Sequence, residues 1–249
     1  MSGHSKWATI KHKKGAADQK RGKLFAKLIR QVEVAAREGG GDPDMNPTLR
    51  TMFQKARDAS VPLDTIERAI KRGTGELEGV TYEQITYEGY APGGVAMLIE
   101  VLTDNRNRTG SDVRSLFTKR GGSMAEPGAV SWQFERKGTV LVDRTADEEE
   151  LMLLALDAGA EDVVDDGEAW RLVTPPTDLH AVRTAVEEGG MTIESADLTM
   201  VASNLIPLED TGTAKQVLGL IDALEDLDDV QAVHANFDIS DDLLEAATA

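Results

Sequence analysis

The stretch ITYEGYAPGGVAMLIEVLTDNRNRTGSDVRSLFTKR, Ile85–Arg120, decides the fold class. Ile85–Tyr90 and Val95–Leu102 read as strands, and Ala91-Pro92-Gly93-Gly94 between them is turn chemistry. A helix follows from about Gly110 to Arg120. Gly89, Gly93 and Gly94 also invite comparison with a phosphate loop. Such a loop must open directly into a helix N-terminus, whereas here strands flank the glycines on both sides, so a hairpin turn is the better reading.

Working outward, the same alternation continues downstream. Strands are expected at Ala129–Phe134 and Thr139–Val142, a helix at Asp147–Asp157, a hairpin over Asp162–Val173 and a helix near Asp178–Glu188. A strand at Ser195–Val201, a helix at Thr213–Leu224 and a strand at Val230–Phe237 close the chain. Interleaved hairpins and helices fit mixed α+β layers better than a doubly wound parallel sheet, and the ββα-like pattern occurs twice.

Upstream the period is helical. From Asp18 to Glu38, Leu24, Phe25, Leu28, Val32 and Ala35 share one broad face, while Lys20, Lys23, Lys27 and Arg30 fall on a separate arc. Gly39-Gly40-Gly41 ends that helix. Asn46-Pro47 supplies an N-cap and a first-turn proline for a second helix to Ala59. Val61-Pro62 opens a third, ending near Arg72. Gly75–Gly79 is the expected linker, and residues 1–17 read as an extended arm.

Composition bounds the function. There are no cysteines, which removes disulfides and thiolate chemistry. No apolar run approaches the roughly 20 residues of a membrane helix, and the N-terminus lacks a secretory core, so the expectation is a cytoplasmic protein with no membrane partner. The net charge is −17, yet its distribution is polar: residues 1–75 hold 16 Lys+Arg against 8 Asp+Glu, and the rest hold 11 against 36. Residues 1–30 alone carry nine bases and one acid, Asp18. A basic head on an acidic body points to an anionic partner met at one end.

The candidate nucleic-acid residues follow. Lys6, Lys11, Lys13, Lys14, Lys20, Arg21, Lys23, Lys27 and Arg30 are placed to meet phosphates, Trp7 to stack on a base, and His4 and His12 to add polar or charged contacts. The bland alternative is a solubilising tail, where charges of both signs usually mix. Asn105, Arg106, Asn107 and Arg108 form a second patch between a strand and a helix, with Arg114, Lys119 and Arg120 beyond. The asparagines could read base edges or cap the helix. The second and third helices superficially resemble a helix-turn-helix presenting Arg68, Lys71 and Arg72, but packing explains such a pair as well. Asp165-Asp166-Gly167-Glu168 could be an acid–base or metal cluster, although Asp-Gly between strand-like runs is a tight-turn signal. His180 and His234 read as ordinary surface residues. Neither a catalytic spacing nor a metal or cofactor site is expected.

Several long strings resemble one family. GHSKW at 3–7, IKHKKGAADQKRGKLFAKLIR at 10–30, GGGDPDMNPTLR at 39–50, YEGYAPGGVAMLIEVLTDNRNRT at 87–109, AGAEDVV at 158–164 and LIDALEDLDDVQAVHANFDI at 220–239 are similar to the YebC family of bacterial proteins and a mitochondrial translational activator related to it. Met124-Ala125-Glu126-Pro127 departs from the family pattern. The resemblance implies an α+β protein with an N-terminal helical domain followed by two α/β sandwich domains, the third inserted in the second. That divides the chain into 1–79, 80–133 plus 204–249, and 134–203. It further implies a non-enzymatic DNA-binding transcriptional regulator, or alternatively a translation factor touching ribosomal RNA. A monomer is expected. A metal-dependent hydrolase using Asp165–Glu168 is the competing class.

Overall fold

The computed structural model describes residues 18–167 and 169–248, with side chains from residue 21 onward. Three helices come first: α1 (Asp18–Gly39), α2 (Pro47–Asp58) and α3 (Leu63–Gly73). Leu28, Val32, Ala35 and Ala36 of α1 bury against Leu49 and Ala56 of α2 and Ile66 and Ala69 of α3. The apolar stripe of α1 therefore drives packing. Gly40, at φ 88°, lets the chain leave the helix, and Asn46 caps α2 by accepting from the Leu49 N–H.

A four-stranded sheet follows, ordered β3-β1-β2-β9, from β1 (Glu83–Tyr90), β2 (Ala96–Thr103), β3 (Ser123–Ala125) and β9 (Val230–Ala235). All its pairings are antiparallel, with Tyr90 opposite Ala96 and Met97 opposite Ala235. The Pro92–Gly94 turn closes the hairpin, with Gly93 and Gly94 at φ 76° and 77°, and its Ala91 N–H donates to Val95 O at 2.8 Å. Central β2 is almost wholly buried, which explains its unbroken AMLI run. Helix α4 (Arg106–Lys119) packs on β1 and β3, burying Val113 and Phe117. Helix α7 (Thr211–Glu225) lies beside α4 and β9, and α8 (Asp241–Thr248) packs on α7.

Between β3 and the return of the chain at Ile206, residues 132–205 form a separate compact unit. Its sheet is ordered β5-β6-β4-β7, from β4 (Phe134–Asp143), β5 (Asp162–Asp165), β6 (Ala169–Thr174) and β7 (Ile193–Ala202). Helices α5 (Glu148–Asp157) and α6 (Leu179–Glu188) complete its core, in which Val140, Val142, Leu151, Trp170, Leu172, Val182 and Val186 are buried. Residues 18–131 and 206–248 make up the other unit. After the insertion, β8 (Ile206–Pro207) and β10 (Phe237–Asp238) pair in parallel, and Asn236 Oδ1 accepts from the Ala96 N–H at 2.7 Å. The fold is α+β, with a helical N-terminal region and one α/β unit inserted in the other.

Four local expectations change. Helix α4 begins at Arg106, not near Gly110, because Asn105 caps it. The two short strands expected over 129–142 are instead the single β4, which starts at Phe134. Gly138 and the charges before it look like a break in sequence. In the sheet, however, a Cβ at Gly138 would lie 2.7 Å from Thr174 and 2.9 Å from Leu179, so glycine admits a close neighbour there. The third and fourth changes are β3 and α8, which lack long apolar runs and escape pattern reading.

Candidate nucleic-acid interface

His4, Lys6, Trp7, Lys11, His12, Lys13 and Lys14 lie outside the described residues, as does the side chain of Lys20. Of the remaining cations of α1, Arg21 is exposed. Lys23, Lys27 and Arg30 turn toward the acidic C-terminal end of α7. Lys23 Nζ donates to Asp226 O at 3.0 Å and Lys27 Nζ to Glu225 O at 2.6 Å. Arg30 donates to Leu102 O at 2.9 Å and Asp228 O at 3.1 Å.

The physical reason is a conflict within α7. It has no basic residue in its last turn and ends in Glu225 and Asp226, so its negative end meets more negative charge. Its final carbonyls also lack intrahelical partners. Three cations from α1 satisfy both needs. Burial pushes the Lys27 pKa down, and Glu225 and Asp228 only partly restore it.

Asp229 joins this contact to the second basic patch. Its Oδ1 accepts from Arg30 at 3.0 Å, and its Oδ2 from Arg108 at 2.7 Å. The Thr109 and Thr103 hydroxyls stand 2.6 and 3.0 Å from Oδ2. Burial pushes the Asp229 carboxyl up, but the hydrogen bonds from Thr109, Arg108 and Thr103 with the Arg108 charge bring it below the usual range. Arg108 also bonds Asp104 at 2.9 Å, and these two carboxylates hold its own pKa above the ordinary value. The Arg30 guanidinium lies over the Tyr82 ring, 4.9 Å from its centre.

Within the second patch, Asn105 is the N-cap of α4, accepting from the Arg108 N–H at 3.1 Å. Arg106 pairs with Glu83 at 3.1 Å in an exposed bridge. Asn107 is exposed. Arg106, Asn107, Gly110, Ser111 and Arg114 line an open cleft of about 380 Å³ with Tyr87 of β1. Tyr87 Oη donates to Arg106 O at 3.2 Å, and burial pushes its pKa up.

Of the remaining sequence candidates, Arg68, Lys71 and His180 are exposed, whereas His234, expected at the surface, is buried on β9 with its Nε2 3.5 Å from Glu100, because β9 packs inside the sheet unit. Arg72 of α3 bonds the buried Glu33 carboxylate at 2.9 Å, and Arg37 bonds its other oxygen at 3.2 Å. Asp166 is buried against Arg171 at 2.7 Å, while Asp165 pairs with Arg144 and accepts from the Gly167 N–H, the pattern of a tight turn. Glu168 of that stretch lies outside the described residues. Sequence reasoning missed Asp229, Thr103, Thr109, Tyr82 and Tyr87. One signal was available for Asp229: an acidic run, Glu225–Asp229, at a helix C-terminus breaks a local electrostatic rule and announces a cationic neighbour.

The chain is thus a helical head, docked by its own cations on an acidic α/β body that carries a second α/β unit as an insertion. Residues 5–76 match the family described as "TACO1/YebC protein N-terminal domain", and residues 82–237 match "TACO1/YebC second and third domain". A "Probable transcriptional regulatory protein" of Halothermothrix orenii is 57% identical over 100% of this chain and 99% of its own. One of the same description from Rubrobacter xylanophilus is 60% identical over 98% of each chain. The crystal structure of a conserved hypothetical protein from Aquifex aeolicus, 49% identical, superposes with a TM-score of 0.82 over 90% of this chain and 93% of that one. The chain belongs to the TACO1/YebC family. No described helix is long and apolar enough to cross a membrane.

Proposed function

We propose that this protein is a non-enzymatic, nucleic-acid-binding regulator of gene expression, a DNA-binding transcriptional regulator that works in the cytoplasm as a monomer. The observation that carries the reading is a surplus of charge. Docking α1 on the body uses Lys23, Lys27 and Arg30, yet the sequence supplies nine bases within residues 1–30. The other six, Lys6, Lys11, Lys13, Lys14, Lys20 and Arg21, stand with a single acid in the same thirty residues, and a polyphosphate gives such a run of cations a partner. The names of the relatives favour transcription. In this reading residues 1–79 are the binding domain, 80–133 plus 204–249 the domain that holds it, and 134–203 an inserted third domain.

The test is binding of duplex DNA and of ribosomal particles across a salt series, with the Lys13→Glu/Lys14→Glu double variant beside the natural protein. With about six phosphate contacts, duplex affinity should fall about 10³-fold between 50 and 200 mM salt. The double variant should bind more weakly and with a shallower slope. Salt-sensitive comigration with ribosomal particles, without duplex affinity, would move the function to translation. Unchanged affinity and slope in the double variant would remove the arm from the interface.

A further inference from the structure

Helix α4 has a face that the Asp229 network leaves unused. Asn107, Gly110, Ser111 and Arg114 recur at the spacing that aligns residues along one side of a helix. With Arg106 and Tyr87 they line the cleft of about 380 Å³, a size within the range of small-ligand sites. Its lining offers one phenol ring, two guanidinium groups, a serine hydroxyl and a carboxamide, with no carboxylate among the lining residues, although the Arg106 guanidinium also meets Glu83 at 3.1 Å. Arg114 has no side-chain partner among the described residues, so one cation stays free on a molecule of net charge −17. Gly110 makes room for the ring: a Cβ there would stand 3.1 Å from Tyr87 Oη. The hydrogen bond from Tyr87 Oη to Arg106 O then fixes the tyrosine beside the helix.

We infer that this cleft holds one unstacked nucleotide of a single strand, with its base against Tyr87 and the flanking phosphates on Arg106 and Arg114. Asn107 and Ser111 are placed to meet the sugar or the base edge. Aromatic side chains bind bases in this way with little regard to sequence, because every base has a π-face. Within a duplex that face is already stacked, so the cleft selects unpaired nucleotides of RNA or of opened DNA. The openness of the cleft suits a strand that enters and leaves. The inference rests on the nucleic-acid reading above and adds the form of nucleic acid taken at a site apart from the arm.

Fluorescence anisotropy of labelled oligouridylate and oligothymidylate octamers, with a labelled duplex as reference, tests it on the full chain. Tyr87→Leu should weaken octamer binding about tenfold, Tyr87→Phe should stay near the natural protein, and duplex binding should not move. Arg114→Gln, an exposed substitution that does not threaten the fold, should flatten the slope of log affinity against log salt by about 0.7, one single-strand phosphate. A preference for oligouridylate that Arg114→Gln leaves intact but Ser111→Ala abolishes supports a 2′-hydroxyl contact in the cleft. Equal binding of both octamers with the same Tyr87 dependence supports a sugar-blind cleft. If the Tyr87→Leu and Arg114→Gln proteins bind octamers as the natural protein does, the cleft assignment fails. The wider reading then stands if the Lys13→Glu/Lys14→Glu protein still loses affinity. A mononucleotide that competes as well as the octamer overturns the assignment to a strand. If the natural protein shows no salt-sensitive affinity for any of these probes, both readings fall.

Discussion

Glu88 shows how a buried charge can be favourable when the backbone surrounds it. It sits on β1 at 6% exposure, where an isolated carboxylate would be costly. Its Oε1 accepts from the Gly128 N–H at 2.7 Å, and its Oε2 from the Val130 and Ser131 N–H groups at 2.7 and 3.0 Å. Burial pushes the carboxyl up, but these donors together outweigh it and hold the pKa below the usual carboxylate value. The sign of the pH dependence follows. A group with a depressed folded-state pKa adds stability that is complete above its unfolded pKa and is lost as pH falls through the folded one. Glu88→Gln should therefore cost about 2 kcal/mol near neutrality. The gap between the two proteins should shrink as pH drops below about 4.3, the ordinary glutamate value. Urea melts at a series of pH values measure this, and a gap that widens toward acid would contradict the hydrogen-bond account. Nothing in the sequence around Glu88 announces the role, since its three donors lie forty residues away.

At the scale of elements, the docking of α1 on α7 changes how mutations in the basic helix must be read. Lys27 sits in the middle of the arc that sequence periodicity assigns to phosphates, yet its ammonium meets Glu225 O. Lys27→Gln should lower stability by about 1 kcal/mol through the lost charged hydrogen bond. It should leave the salt slope of nucleic-acid binding unchanged when measured well below the melting temperature. A protein with natural stability and a slope reduced by about 0.9 would instead place Lys27 against a duplex phosphate. The contrast shows what was legible. The apolar stripe of α1 was, because Leu28, Val32 and Ala35 recur on one face and are buried. The Asn46 cap was also legible, because Asn before Pro is a local signal. That Asn46 Nδ2 also donates to Ala35 O at 2.8 Å and Gly40 O at 2.9 Å was not, because it requires the end of α1 to fold back beside α2. Asn105 fell between the two: the sequence offered both a cap and a base contact, and the cap is the role that the start of α4 at Arg106 displays. The destination of the α1 arc was hidden for the same reason, since α7 lies almost two hundred residues away in sequence.

For the whole molecule, the largest nonlocal feature is the insertion. β2 pairs with β9, so the first sheet is completed by a strand that lies beyond residues 132–205 in the chain, which make a sheet of their own. Local pattern could show two α/β units but not that one interrupts the other, because strand order is set by pairing between distant segments. The inserted unit closes on itself. β4 and β7 run antiparallel with Phe134 opposite Ala202, and the Ser203 N–H donates to Gln133 O at 2.8 Å, which brings its two ends together. It has its own apolar core. It also has its own polar fastenings, the buried Asp166–Arg171 pair and the Arg144 guanidinium 3.8 Å from the centre of the Trp170 ring. Adjacent ends and a private core are the conditions under which an inserted domain can fold when excised. A fragment of residues 132–205 should therefore unfold in one cooperative thermal transition, although a chain this short buries a smaller share of its surface and should melt at modest temperature. Hydrogen exchange on the fragment should protect the amides of Val140, Val142 and Leu172 most strongly, since they lie in the centre of the sheet. A fragment with strand-like circular dichroism but no cooperative melt would mean that the insertion depends on the rest of the chain for its packing, and the division into two folding units would fail.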